Sequence, residues 1–309
     1  MVEVTDLEKR FGDVAAVAGV SFALEQGEIF GLLGPNGAGK TTTISMISCL
    51  LDPDAGSIVV DGHSAGTEAR AVKASLGVVP QEVALYPTLT AAENLAFWGR
   101  MYGLGGAELK RAVDAALELA GLEDRAKQRI ETYSGGMKRR INIAAGILHT
   151  PKVLLMDEPT VGIDPQSRNH ILETVKKLNA SGMTVLYTSH YMEEVEYLCD
   201  RIAIMDHGKI IAIGTLNELR DVVGGVDVVS VAVTDVSESV LERVRAIPGV
   251  RQADQAEGAL AVLTPSSGSI LGKLVATLES EGAHVTSVSV TEPNLESVFL
   301  HLTGKSLRD

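Results

Sequence analysis

Gly34-Pro35-Asn36-Gly37-Ala38-Gly39-Lys40-Thr41 is an eight-residue run of the form G-x-x-x-x-G-K-[ST]. Its glycines let backbone N–H groups approach an anion with no Cβ in the way. Upstream, Glu28–Leu33 reads as a buried strand running straight into the run; downstream, Thr41–Leu51 reads as a helix ended by Asp52-Pro53. The positive end of that helix dipole then faces the same anion. In this setting Lys40 is placed to reach the β- and γ-phosphates of a nucleotide. Thr41 is placed to ligate Mg²⁺, and Thr42 to touch a nearer phosphate.

Four further segments work outward from the glycine loop. Val153-Leu154-Leu155-Met156 is an apolar strand that ends in Asp157 and Glu158, so both carboxylates emerge at its C-terminal edge. Asp157 can hold Mg²⁺ through a water, and Glu158 can orient or deprotonate an attacking water. In Tyr133-Ser134-Gly135-Gly136-Met137 a serine N-cap and two glycines expose N–H donors, a second anion site in one chain. Gln81 follows Gly77-Val78-Val79-Pro80 at a strand end, where an amide can contact Mg²⁺ or the lytic water. His190 ends Thr184-Val185-Leu186-Tyr187-Thr188-Ser189, a further parallel strand, and a neutral imidazole there can bond the γ-phosphate. Phe11, in Lys9-Arg10-Phe11-Gly12, reads either as a π-face for adenine or as a core residue at a strand end. Asp164, in Val161-Gly162-Ile163-Asp164-Pro165, reads either as an N-cap or as a link between two active sites. His63, His149, His170, His207, His284 and His301 are expected in loops or on helix surfaces, with no role.

Composition narrows the class. A chain of 309 residues with 45% hydrophobic and 22% charged residues can bury a core in one large domain, or one large and one small. Apolar stretches such as Val153–Met156 fall far short of the ~18 residues of a membrane span. Glu3, Asp6, Glu8, Lys9 and Arg10 interrupt anything resembling a signal peptide near Met1. The expected location is cytoplasmic, with any membrane role reached through a partner. The net charge of −13 is spread over both halves of the chain, which excludes the positive footprint of a nucleic-acid binder. Cys49 and Cys199 are isolated, so buried free thiols are expected rather than a metal site or disulfide.

The pattern predicts an ATPase-type domain over 1–223, with a mostly helical subdomain over about 82–150, and a separate unit over 224–309 after Gly224-Gly225. Val2-Val4 and Gly19–Leu24 read as short strands. In Ala107–Ala120 the residues Leu109, Val113, Ala116, Leu117 and Ala120 form one helical stripe, and a helix is expected from about Gly136 to Leu148. Strands Val153–Met156 and Thr184–Thr188 flank a helix over 167–179, a βαβ rhythm. Arg201–Met205 and Lys209–Ile213 read as a hairpin. The last unit reads strand 227–233, helix 238–246, strand 250–255, strand 259–264, helix 268–281, strand 284–290, then a final helix 294–302. This β-α-β-β-α-β order is that of a small ferredoxin-like unit.

Taken together, Phe11, Gly34–Thr41, Gln81, Ser134–Gly136, Asp157-Glu158, Asp164 and His190 resemble the motif set of the ABC ATPase family over essentially residues 1–220. The resemblance implies an α/β fold: a P-loop NTPase core of mostly parallel sheet with an N-terminal antiparallel β part, a helical subdomain, and here an added α+β ferredoxin-like C-terminal domain. Tyr133 in place of the commoner leucine, and the tail Thr291-Glu292-Pro293-Asn294-Leu295-Glu296-Ser297-Val298-Phe299-Leu300-His301-Leu302-Thr303-Gly304, are similar to the branch that exports drugs, lipids or polysaccharides, of the daunorubicin-exporter type. The resemblance further implies ATP and Mg²⁺ as cofactors, and a head-to-tail homodimer in which Ser134 of one chain meets ATP held by Lys40 of the other. It implies a separate transmembrane permease docking near Gln81, and a place on the inner face of the cell membrane.

Competing readings are weaker. A DNA-repair or chromosome-structuring ATPase carries a long coiled coil between its nucleotide motifs, and no sustained heptads lie between Lys40 and Met156. A translation-factor ATPase needs a second cassette, and this chain has one P-loop. Glu158 and His190 argue against a non-catalytic nucleotide sensor.

Overall fold

The computed structural model describes residues 1–222, 227–234, 237–256, 259–291 and 294–303. Its contacts divide the chain into a unit built on Met1–Thr215 and a second that begins at Leu216.

The first unit opens with two long strands, β1 (Val2–Phe11) and β2 (Val14–Leu24). Both extend well beyond the short strands that the sequence suggests. Register shifts between Val4 and Leu7 and again between Lys9 and Arg10 break their apolar alternation, and this conceals the length. Strand β3 (Ile29–Leu33), every residue of it buried, leads through the glycine loop into α1 (Lys40–Ile47). That helix stops four residues before the predicted Leu51. Cys49 adopts a left-handed φ of 55°, and the Leu50 N–H bonds back to Ser45 O at 2.9 Å, closing a Schellman-type end. Next come β4 (Ala55–Val60), the two-residue β5 (His63–Ser64), α2 (Ala69–Ser75) and β6 (Leu76–Val79). Strands β4 and β5 complete a four-stranded antiparallel sheet in the order β2-β1-β4-β5.

The middle of the chain is helical, as its pattern predicts: α3 (Ala91–Met101), α4 (Gly106–Ala120) and α5 (Gly135–Gly146). A Thr90–Glu93 capping box starts α3. The stripe Leu109, Val113, Ala116, Leu117 and Ala120 is the buried face of α4, packed with Leu95, Ile130 and Ile141. The βαβ rhythm then appears as β7 (Val153–Asp157), α6 (Pro165–Ala180) and β8 (Thr184–Ser189). An additional short helix, α7 (Met192–Leu198), is absent from the sequence reading and precedes the expected hairpin of β9 (Arg201–Asp206) and β10 (Lys209–Gly214).

A six-stranded sheet runs β10-β9-β3-β8-β7-β6, parallel throughout except for β10 at one edge. Strands β3, β7 and β8 are buried along their whole length, the signature of parallel strands covered on both faces. Their register sets where each motif leaves the sheet. Leu33 pairs with Ser189, and Asp157 pairs with Thr188. The glycine loop, the acid pair and His190 therefore emerge at the same edge, the usual place for a ligand in such sheets.

The second unit contains α8 (Leu216–Val222), β11 (Asp227–Thr234), α9 (Glu238–Arg245), β12 (Gln252–Ala256), β13 (Ala259–Thr264), α10 (Ser267–Ser280), β14 (His284–Thr291) and α11 (Leu295–Thr303). Its strands lie β12-β13-β11-β14 with every pair antiparallel, the split β-α-β arrangement of a ferredoxin-like sheet. Val229, Val231, Leu260, Val262, Leu274 and Leu278 form its core. The unit begins at Leu216 rather than at 224 because α8 packs against α11. Gly224, Gly225 and the Glu292, Pro293 and Gly304 positions of the tail motif lie outside the described residues.

Candidate nucleotide-hydrolysing site

The site is built from β3, β7 and β8 and the turns that leave them. Gly39 caps α1 with φ 105°, and a Cβ there would lie 2.3 Å from Ala16 O, so only glycine lets the loop close over the helix end. Lys40 is 4% exposed. Its ammonium donates to Gly34 O at 2.6 Å and Pro35 O at 3.1 Å, and pairs with Glu158 Oε1 at 2.9 Å. All three ammonium donors are thus occupied. The other Glu158 oxygen, Oε2, lies 3.0 Å from His190 Nδ1. Cation, acid and imidazole form one cluster, with Glu158 itself 5% exposed.

Glu158 has a φ of 42°, left-handed backbone that a glutamate adopts only under constraint. The constraint is Thr188, whose Oγ1 accepts the Glu158 N–H at 2.9 Å and donates to Asp157 Oδ1 at 2.9 Å. Asp157 is 3% exposed, and burial pushes its carboxyl above the usual range against the opposing hydrogen bonds from Thr188 and Thr41. Among the described residues no group of three His, Cys, Asp or Glu side chains stands ready to hold a metal alone. The oxygen donors Asp157 and Thr41 nevertheless suit a hard divalent cation completed by phosphate oxygens and water. A cation there would offset a carboxylate that burial penalises.

The other predicted residues stand apart from this cluster in character. Asn36 and Gly37 form the open rim of the loop, while Pro35 is half-buried, Gly34 and Ala38 are buried beneath it and Thr42 is half-buried on α1. Phe11 ends β1 with 53% of its surface exposed, so it is not a core residue. The Gln81 side chain is exposed, and its backbone carbonyl is held by Arg139. Ser134 is exposed and caps α5, its Oγ accepting the Met137 N–H at 3.2 Å. Asp164 caps α6 by accepting the Ser167 N–H at 2.9 Å. A Cβ on Gly136 would come within 2.0 Å of Ser167 Oγ, so the first turns of α5 and α6 touch through this glycine.

Sequence reasoning missed three side chains that hold the site together. Thr188 is one. Glu194, buried on α7, accepts from Thr160 Oγ1 at 2.7 Å, Tyr187 OH at 2.9 Å and Ser189 Oγ at 3.1 Å, and faces Arg168 of α6. It joins the turn after Glu158 to the strand end that carries His190. Burial and that charge push the Tyr187 hydroxyl well above its ordinary value. Arg139 is the third. Neither Glu194 nor Arg139 stands out among neighbouring acids or bases of the same type.

Two of the histidines depart from the expected placement, and a third is more buried than a surface loop residue. His63 and His284 lie in strands, and His149 is half-buried, its ring stacked 3.6 Å from that of Tyr102 with Nε2 3.0 Å from Leu76 O. His149 thus has a packing role, His63 Nδ1 lies 2.9 Å from Glu68 Oε1, and His284 is exposed. Cys49 and Cys199 are free and half-buried, and burial raises both thiols.

Comparison with known proteins places this geometry. The chain matches the ABC transporter family over residues 17–161. It is 52% identical to the linearmycin resistance ATP-binding protein LnrL of Bacillus subtilis (strain 168), over 100% of both chains. This chain belongs to the ABC transporter ATP-binding family. It is also 38% identical to the daunorubicin resistance ATP-binding protein DrrA3 of Streptomyces coeruleorubidus, over 99% of this chain and 97% of that one. Among solved structures, the ATP-binding subunit of an ABC transporter superposes with a TM-score of 0.67 at 32% identity, covering 72% of this chain and 93% of that one. The dimeric post-hydrolysis state of the cassette MJ0796, bound to ADP and Pi, gives 0.64 at 27% identity over 70% and 98%. As an ABC cassette of the drug-resistance and export branch, the chain binds and hydrolyses ATP.

Proposed function

We propose that two copies of this ABC ATPase close head to tail on two ATP molecules and drive export through a separate membrane subunit. In each composite site Lys40 and the amides of Gly34–Gly39 hold the phosphates, with Thr42 on a nearer one, and Phe11 offers its ring to adenine. Thr41, Asp157 and Gln81 would hold Mg²⁺, which when bound neutralises phosphate charge. Glu158 takes a proton from the attacking water, and His190 orients the terminal phosphate. Ser134, Gly135 and Gly136 of the other copy supply N–H and hydroxyl donors, and Asp164 joins the two sites. The carrying observation is the buried Lys40–Glu158–His190 cluster beside the Thr41–Asp157 pair: a phosphate-binding cation and a candidate base brought together where β3 and β7, on either side of β8, leave the sheet at one edge.

The dimeric form of the MJ0796 cassette supports the pairing. No helix among the described residues is long and apolar enough to cross a membrane, which supports a separate permease. A groove of about 380 Å³ supports a docking place for it, lined by Leu50, Leu76, Val78, Pro80, Trp98 and Tyr102. Leu50 is 73% exposed at its rim. Isolated large apolar groups beside a groove of this kind suit an amphipathic partner segment. The working place of the subunit is then the inner face of the cell membrane. The resistance proteins among its relatives favour a drug or other small molecule as cargo.

Replacing the candidate base is the test. Glu158→Gln keeps the size but cannot take a proton, and general-base contributions are typically ~10²–10⁴-fold. Turnover should fall by about that much while ATP binding persists, and an ATP-dependent dimer should accumulate on sizing. Hydrolysis at the wild-type rate would remove Glu158 from the mechanism.

A further inference from the structure

We infer that Arg139 is a positioning residue for Gln81, clamping the segment that carries it onto the helix opened by Ser134. The inference rests on the proposed contact of Gln81 with the metal or the lytic water.

Arg139 lies in α5 between Lys138 and Arg140 and is 4% exposed. A buried guanidinium is costly unless its donors are met. Burial accordingly lowers its pKa. Its hydrogen bonds go to two backbone carbonyls of one segment rather than to a carboxylate: Nη1 donates to Pro80 O at 2.7 Å, and Nη2 donates to Gln81 O. One helical turn on, the buried Asn142 accepts the Ala84 N–H at 3.0 Å through Oδ1. Positions three apart on a helix share a face. Arg139 and Asn142 therefore hold residues 80–84 at both ends.

The held segment has little else to fix it. It leaves β6 without regular structure, and the side chains of residues 81–84 are exposed. Side-chain packing cannot set where the Gln81 amide sits, whereas three hydrogen bonds to the main chain can. The same helix is capped by Ser134, five residues before Arg139, and its later residues Asn142, Ala145 and Gly146 line the groove assigned to the membrane subunit. The tether thus links the Ser134 end, the Gln81 segment and the groove wall in one rigid element.

The test is a double-mutant cycle in the full-length chain, with ATP hydrolysis, ATP affinity and Mg²⁺ dependence measured together. Arg139→Met keeps the length of the side chain and removes the donors. Asn142→Leu removes the acceptor at the other end, and carries the cycle if Arg139→Met does not fold. Each should lower kcat by about tenfold and raise the Mg²⁺ needed for half-maximal rate, with ATP affinity within about twofold. Gln81→Ala should cause a comparable loss, and in its background the further loss from Arg139→Met should shrink below about twofold, the mark of residues acting as one unit. Arg139→Lys, which can still reach one carbonyl, should recover part of the rate. Losses that multiply in the double variant, or a parallel fall in ATP affinity, overturn the positioning role while leaving Gln81 in place. A Gln81→Ala chain as active as wild type overturns both.

Discussion

The two halves of the proposed nucleotide machinery in this chain are built in opposite ways. The half on β3, β7 and β8 is closed on itself: Lys40, Asp157 and Glu158 are each 5% exposed or less, and every charge has a partner in the same chain. The half at the start of α5 is open. Ser134 and Gly135 are exposed at the helix N-terminus, a place where an anion is favoured. Burial without partners is costly, so the first half had to be completed internally. An exposed donor set carries no such cost and can wait for a ligand held by another molecule.

This contrast is sharpened by single substitutions in each half. Ser134→Arg on the open half should cut hydrolysis by roughly 10²-fold, the scale for losing an aligned donor. ATP binding by the single chain should change by less than about twofold, because nothing on the closed half is touched. Lys40→Ala on the closed half should instead weaken ATP binding by roughly 10- to 100-fold, as expected for one charge-assisted contact. Equilibrium titration of a fluorescent ATP analogue against both variants separates the two outcomes; equal loss of binding in both would break the comparison.

A smaller effect bears on the cost of closing the first half. Burial raises the Asp157 carboxyl above its ordinary 3.8, so the folded chain keeps a proton there over a pH window in which the unfolded chain has lost it. Stability contributed by this group therefore falls as pH rises through that window, and the full penalty applies above it. Asp157→Asn should raise the Tm of the nucleotide-free chain at neutral pH, with the gain shrinking toward the acid end, while Mg²⁺-dependent hydrolysis is lost. A lower Tm at neutral pH would show that the carboxylate is stabilising where it sits.

What could be read in the sequence divides along the same line. The glycine loop, the acid pair and the Ser134 turn are local patterns, and parallel pairing of the strands brings the first two to one sheet edge. The full length of β1 and β2 was hidden because register shifts disturb the period on which strand reading depends. Arg139 and Glu194 were illegible for another reason. Lys138-Arg139-Arg140 and Glu193-Glu194 read as solvated charge, and tertiary packing alone decides which member is buried. The start of the second unit was misplaced because α8 is claimed by a helix far along the chain, α11.

The central claim is that the open half of one copy completes the closed half of another. Mixing Lys40→Ala chains with Ser134→Arg chains tests it most directly, since the mixed dimer rebuilds one intact site from two defective proteins. With mixed dimers demonstrated by mass, ATPase activity that neither variant shows alone should appear on mixing. Mixed dimers that stay as inactive as the separate variants would contradict the composite site.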